Sequence, residues 1–200
     1  SMMTPLIKSF FTDIGMEITN DAIQVFGGYG YTKDQGVEQL FRDNRITPIY
    51  EGTNSVQAID LVFRKILNNN IYDNYIAQIT KEIQEYEKNK ELVLFVQKFQ
   101  KYVELINNFT SWLIEKNKNS KDDVSAACND YLKVLGYLGL AHSWLKILKV
   151  SYEKYDTNKS FFEDKINTAT YYFDKILPRA QSHYLSAITG SKSMMKANFN

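Results

Sequence analysis

The chain has 200 residues, 44% of them hydrophobic and 24% charged, with a formal net charge of +1. That balance excludes wholesale disorder and argues against a dedicated nucleic-acid binder, which needs a basic excess. A single cysteine, Cys128, excludes a disulfide framework and a cysteine-based zinc site and fits a reducing compartment, while two histidines, His142 and His183, leave little room for a histidine-rich metal centre.

Ser1 cannot initiate translation and reads as a processing remnant. The native start is then Met2, Met3 or an internal point of a longer protein, and no secretory or transit signature follows. From Thr4 a helix is expected, with Pro5 suited to its first turn. Leu6, Phe10, Ile14, Ile18, Ala22 and Val25 recur every three or four positions and predict one buried stripe. Gly27-Gly28 ends that helix, and 28–34 is expected to be a loop. A second helix runs from about Gln35 to Ile46 and is closed by Pro48. Residues 49–52 form a second loop. Thr53 or Asn54 caps a third helix carrying Val56, Ile59, Val62, Phe63 and Ile66.

Asn68-Asn69-Asn70 reads as a break. Beyond it come four amphipathic helices, marked by Tyr72–Tyr86, Leu92–Leu113, Ala127–Tyr152 and Phe162–Ala187, with a kink expected at Pro178. Short polar breaks separate them, which is the pattern of an antiparallel four-helix bundle. The fold class is all-α. Two units follow, residues 1–67 and 68–200. The first holds five of the nine glycines within 27–52 and three of the four arginines, and carries 6 basic and 8 acidic residues against 18 and 15 in the second. The longest apolar stretch, Val134–Val150, is interrupted by His142, Ser143, Lys146 and Lys149, so no membrane span is expected.

Gln24-Val25-Phe26-Gly27-Gly28-Tyr29-Gly30-Tyr31, Val37-Glu38, Phe41-Arg42-Asp43 and Ile49-Tyr50-Glu51-Gly52-Thr53-Asn54, followed by Gln57, occur in that order and at fixed spacing. Over roughly residues 4–67 this segment resembles the C-terminal catalytic part of acyl-CoA dehydrogenases, in the branch with an extra C-terminal helical domain. The resemblance implies FAD as cofactor, an acyl-CoA thioester as substrate and α,β-dehydrogenation as the reaction. It nominates Glu51 as the base that removes the α-proton, and Tyr50 and Gly52 as the residues against the substrate. Gln24, Val25, Phe26, Gly27 and Gly28 would meet the adenosine-diphosphate half of FAD, commonly across a subunit interface, and Thr53, Asn54 and Ser55 the flavin. Arg42-Asp43 matches a family pair with a structural role.

Two departures stand out. Pro48 precedes the base loop where relatives usually lack proline, and Ser55 replaces a longer polar side chain. A homo-oligomer and an electron-transfer flavoprotein are the partners the family implies, in bacterial cytoplasm or mitochondrial matrix. Because the family also uses an amino-terminal helical domain and a middle β-domain, these 200 residues are expected to be inactive alone. The alternative is a non-enzymatic helical assembly module or a truncated relic. Outside the motif, His142 is expected to be a hydrogen-bonded structural histidine, His183 to be solvated, and Cys128 to be a packing residue.

Overall fold

A computed structural model describes residues 2–68 and 71–197, so Ser1 and the Asn69-Asn70 part of the expected break lie outside the described residues. It is helical throughout, with no strand among the described residues. α1 (Met3–Phe26), the short α2 (Gly28–Tyr31), α3 (Val37–Asn44) and α4 (Asn54–Ile59) come from the first third of the chain. α5 (Ile71–Tyr86), α6 (Val93–Lys116), α7 (Lys121–Glu153), α8 (Lys159–Tyr171) and α9 (Arg179–Ala187) make up the rest.

Cross-helix contacts give the bundle's register. Gln100 reaches Glu87, and Tyr72 donates to Asn107, so α5 and α6 run antiparallel. Thr110 meets the Tyr131 hydroxyl and Lys116 meets Asp123, reversing direction again into α7. Tyr172 donates to the Tyr137 carbonyl, and Asp123 accepts from Ser191, so the chain turns back a third time. Side-chain caps start α7 and α8: Ser120 accepts from the Asp123 amide and Asn158 from the Phe161 amide.

At Pro178 the expected interruption is present. The chain passes through a wide π-turn at Tyr172–Ile176, where Leu177 N–H bonds back to Tyr172, and restarts at Arg179. A second π-turn, Asp60–Ile66, extends α4.

α7 spans 33 residues, about 50 Å at 1.5 Å per residue, and is the axis of the molecule. The stripe from Ala127 to Leu148 is buried as expected, but Cys128, Leu132, Leu135, Gly136 and Tyr137 on other faces are buried too. The second set is covered partly by α1 and α4, which pack directly on α7. Phe10 stands edge-on to Tyr137, with ring centroids 5.2 Å apart, and occupies the space over Gly136. One continuous apolar core therefore joins residues from both expected units, from Leu6 and Leu61 to Phe109 and Leu145.

Three expectations fail for identifiable reasons. The α1 stripe is buried at Leu6 and Phe10 but only half-buried at Ile14 and Ala22, and Ile18 and Val25 are exposed, because α7 covers just the first half of α1. Residues 28–34 are not an open loop but a helical turn followed by a 3-10 turn at Lys33–Gln35, closed by Gly30 N–H to Gly27 and Thr32 N–H to Tyr29. Gly30 permits that turn to sit against α1, since a Cβ there would stand 2.5 Å from the Ile23 carbonyl oxygen. His183 is also not free in solvent: its Nδ1 lies 2.8 Å from Asp130 Oδ1 and its ring stacks on Tyr137.

Candidate active site

The Tyr-Glu-Gly-Thr loop lies between α3 and α4, beside the first turns of α1. Glu51 has φ +55°, the only non-glycine residue with positive φ among the described residues, and Gly52 follows at +81°. For an L-residue with a side chain this left-handed geometry costs on the order of 1–2 kcal/mol and persists only where neighbours hold it. The neighbours are identifiable. Gln57 Nε2 donates to the Glu51 carbonyl at 2.8 Å, Lys8 Nζ donates to the Gly52 carbonyl at 2.7 Å, and the Asn54 amide donates to the Pro48 carbonyl at 3.1 Å. Pro48 thus closes the loop through its own oxygen. Thr53 caps α4, its hydroxyl accepting from the Val56 amide.

Asn54 is the centre of the arrangement. Its Oδ1 accepts from Lys8 Nζ at 2.9 Å and from the Thr12 hydroxyl at 3.2 Å. Its Nδ2 lies 2.6 Å from Asp13 Oδ1, 2.9 Å from the Thr12 hydroxyl and 3.2 Å from the Ser9 carbonyl. Ser9, 2% exposed, donates to the Asn54 carbonyl. Asp13 is bound in turn by Lys133 of α7 at 2.6 Å. Ser55 turns the same way, its hydroxyl accepting from Asn129 of α7 at 3.2 Å. The side chains of Asn54 and Ser55 are therefore engaged by α1 and α7.

Glu51 is exposed, with exposed apolar neighbours: Ile46, Ile49, Tyr50 and Val56 are all between 46% and 55% accessible. Gln24, Val25, Phe26, Gly27 and Gly28 sit at the opposite end of α1 and are all exposed, Val25 at 84%. Thr12, which bonds Asn54, is about 21 Å along α1 from Phe26, so the two predicted groups lie at different ends of that helix. Arg42 forms a bidentate surface pair with Glu38, at 2.6 and 3.1 Å, consistent with a local structural role.

Beyond the loop, His142 is 8% exposed and its Nε2 lies 2.8 Å from Glu82, with Lys146 on the same carboxylate oxygen at 3.0 Å. Burial holds its pKa below the usual histidine value although Glu82 pulls upward. Cys128 is buried and its thiol is pushed up to about 12 by desolvation, which suits packing rather than nucleophilic chemistry. A 460 Å³ cleft between α1, α5 and α7 is lined by Leu6, Phe10, Tyr75, Leu140 and His142. Among the described residues no three acidic, histidine or cysteine side chains converge as a metal site, and no helix is long and apolar enough to cross a membrane.

Sequence reading missed Lys8, Ser9, Thr12, Asp13, Asn129 and Lys133. A signal existed, since Lys8 and Thr12 lie one turn apart beside the apolar stripe, and Lys133 interrupts an otherwise apolar run.

Two family models match the chain. "Acyl-CoA dehydrogenase, C-terminal domain" covers residues 1–67, and "Acetyl-CoA dehydrogenase C-terminal like" covers 76–198. Among curated proteins, a cyclohexane-1-carbonyl-CoA dehydrogenase of Geobacter metallireducens is 53% identical over 60 residues, 30% of this chain and 16% of its own length. A 3-methylmercaptopropionyl-CoA dehydrogenase of Ruegeria pomeroyi is 46% identical over 65 residues, 32% of this chain and 11% of its own. A probable acyl-CoA dehydrogenase of Mycobacterium leprae is 58% identical over 52 residues, 26% and 13% of the two chains. The chain thus spans 11–16% of the length of these curated relatives. The crystal structure of an acyl-CoA dehydrogenase complexed with FAD from Bacillus anthracis superposes with a TM-score of 0.72 over 97% of this chain and 34% of that one, at 16% identity. At that identity the likeness is one of fold.

Proposed function

From the premise that the chain belongs to the acyl-CoA dehydrogenase family, we propose that residues 1–67 supply the catalytic-base loop of an acyl-CoA dehydrogenase and residues 68–200 an accessory bundle that supports it. The observation that carries this reading is the loop itself: a glutamate held at positive φ, its own carbonyl and that of Gly52 fixed by hydrogen bonds, in a stretch whose apolar side chains are exposed.

Glu51 is the base. An α-proton next to a thioester is weakly acidic, so its removal needs a carboxylate fixed at hydrogen-bond distance. The Glu51 amide N–H is assigned to the thioester oxygen, where a donor stabilises the charge that develops as the proton leaves. Tyr50 and Gly52 flank the thioester, and the missing side chain of Gly52 lets an acyl chain approach the backbone. Ile46, Ile49 and Val56 are the apolar surface from which water is excluded once the site is covered. The relatives named above act on quite different acyl groups, and the CoA thioester is what their substrates share.

The residues fit FAD at the glycine end of α1. Nothing lies within 4 Å of where a Cβ would stand on Gly27 or Gly28, so that backbone is bare to a ligand. Gln24, Val25, Phe26, Gly27 and Gly28 would hold the adenosine-diphosphate half, commonly across a subunit interface, and Thr53 would face the flavin, with Asn54 and Ser55 supporting from behind. When bound, FAD supplies the acceptor for the β-hydride. The two groups of residues lie about 21 Å apart along α1, and Glu51 is exposed here, so turnover requires further polypeptide to join and cover them. Reoxidation by an electron-transfer flavoprotein and a soluble bacterial or mitochondrial setting complete the proposal.

The experiment is reconstitution. The purified chain with FAD should show no flavin bleaching with any of a panel of acyl-CoAs. Bleaching is expected once a polypeptide supplying the remaining length of such an enzyme is added. Bleaching by the chain alone would overturn the dependence on further polypeptide. A colourless chain that ignores the added polypeptide would instead favour a helical assembly module or relic.

A further inference from the structure

The strained base loop is tied to α7 by a relay of side chains. Lys8 gives its two hydrogen bonds to neutral oxygens, the Gly52 carbonyl and Asn54 Oδ1. Asn54 is clamped on its other side by Asp13. Asp13 carries the charge that answers Lys133, a lysine whose side chain is only 18% exposed. Removing Lys133 leaves Asp13 half-buried without its cation, so its carboxylate is drawn back to water and away from Asn54. The Asn129–Ser55 bond attaches the next residue of α4 to the same helix. These links run between the base loop, α1, α4 and α7; Lys133 and Asn129 stand one turn apart on α7 and reach α1 and α4 respectively.

We propose that Lys8, Asp13 and Lys133 are positioning residues for the Glu51 loop, and that the C-terminal bundle regulates the aim of the base through the Lys133–Asp13–Asn54 relay. The proposal rests on reading Glu51 as the base, but the relay itself is testable without catalysis. The loop's geometry is set by a residue outside the catalytic segment, so the bundle is part of the site's support and not an appendage.

Hydrogen–deuterium exchange on the 200-residue chain is the test, because exchange resolves local opening from global unfolding. Lys133→Met keeps the aliphatic stem and removes the charge. It should accelerate exchange in the peptide spanning Pro48–Gln57, which contains the bonded Asn54 amide, by roughly tenfold or more, corresponding to loss of the relay. Peptides from α6, α8 and α9 should stay within about twofold. Lys133→Arg should restore protection, and Asp13→Asn should reproduce the Lys133→Met pattern. Lys98→Met, which removes the Lys98–Asp174 surface pair, should leave the loop unchanged.

Unchanged loop protection in both Lys133→Met and Asp13→Asn would overturn the proposal. So would acceleration spread evenly over the chain, since that is the signature of a general packing role. The two readings separate cleanly. If loop exchange responds while Glu51→Gln retains α-proton exchange in the enzyme, the relay stands and the assignment of the base falls.

Discussion

Glu51 and Asn54 are three residues apart and have opposite duties. Glu51 points a carboxylate away from the fold at a strained φ, while Asn54 turns inward and meets Lys8, Ser9, Thr12 and Asp13. Glu51 could be singled out in the sequence because the Tyr-Glu-Gly-Thr wording is distinctive, although its positive φ could not. The inward duty of Asn54 was not legible, because its partners lie more than 40 positions away and only the crossing of α4 over α1 brings them together. His183 shows the same limit: Asp130 is 53 positions distant, and no local pattern announces the pair. His142, by contrast, behaves as its place beside a regular apolar stripe suggested.

Its chemistry has a pH consequence. Desolvation depresses the His142 pKa below the ordinary value near 6.5. At Glu82, desolvation pushes upward, but hydrogen bonds from Lys146, Gln78 and His142 prevail and the net shift is downward. Both groups therefore bind protons more weakly when folded than when unfolded. The His142 contribution is complete above about pH 6.5 and is lost as pH falls through the depressed folded value; that of Glu82 is lost only below its ordinary carboxylate range. Urea midpoints should fall between pH 7.5 and 5.5 in the parent chain and fall less in His142→Gln. Parallel loss in both proteins would show that other groups set the acid sensitivity.

At the scale of elements, periodicity identified the later helices and their order, since each must bury one face and the turns between them are short and polar. It understated α7. A helix buried on several faces has little amphipathic contrast, and the second face of α7 is apolar because α1 and α4 lie on it. Gly136 is a close contact in that packing, where an added Cβ would fall 2.2 Å from the Phe10 ring. Gly136→Ala should cost about 1–3 kcal/mol through overpacking. Combining it with Phe10→Leu should cost less than the two single changes together, because the smaller side chain vacates the space. Denaturant melts of the two single variants and the double variant measure this. Strict additivity would mean that Phe10 and Gly136 are not in the contact described.

The whole molecule has an uneven surface. Ile18, Val25, Phe26, Tyr29, Tyr31, Leu40, Ile49 and Val56 expose apolar groups within the first 67 residues, whereas the bundle helices keep most of theirs inside. Exposed apolar patches mark surfaces that partners cover, and the exposed residues here include Ile49 and Val56 at the Glu51 loop and Tyr29 and Tyr31 at the glycine turn. Two hundred residues with ordinary composition looked sufficient for an independent domain. They form one continuous core, yet leave the proposed chemistry on the outside.

The proposed role of Glu51 as the base that takes the α-proton is decided by isotope exchange in the reconstituted flavoprotein. Deuterium from solvent should enter the α-position of a bound acyl-CoA in the parent protein. In Glu51→Gln, entry should fall by at least a thousandfold, within the range lost when a positioned acid–base group is removed, with flavin still bound. Undiminished exchange in the variant would assign the proton to another base.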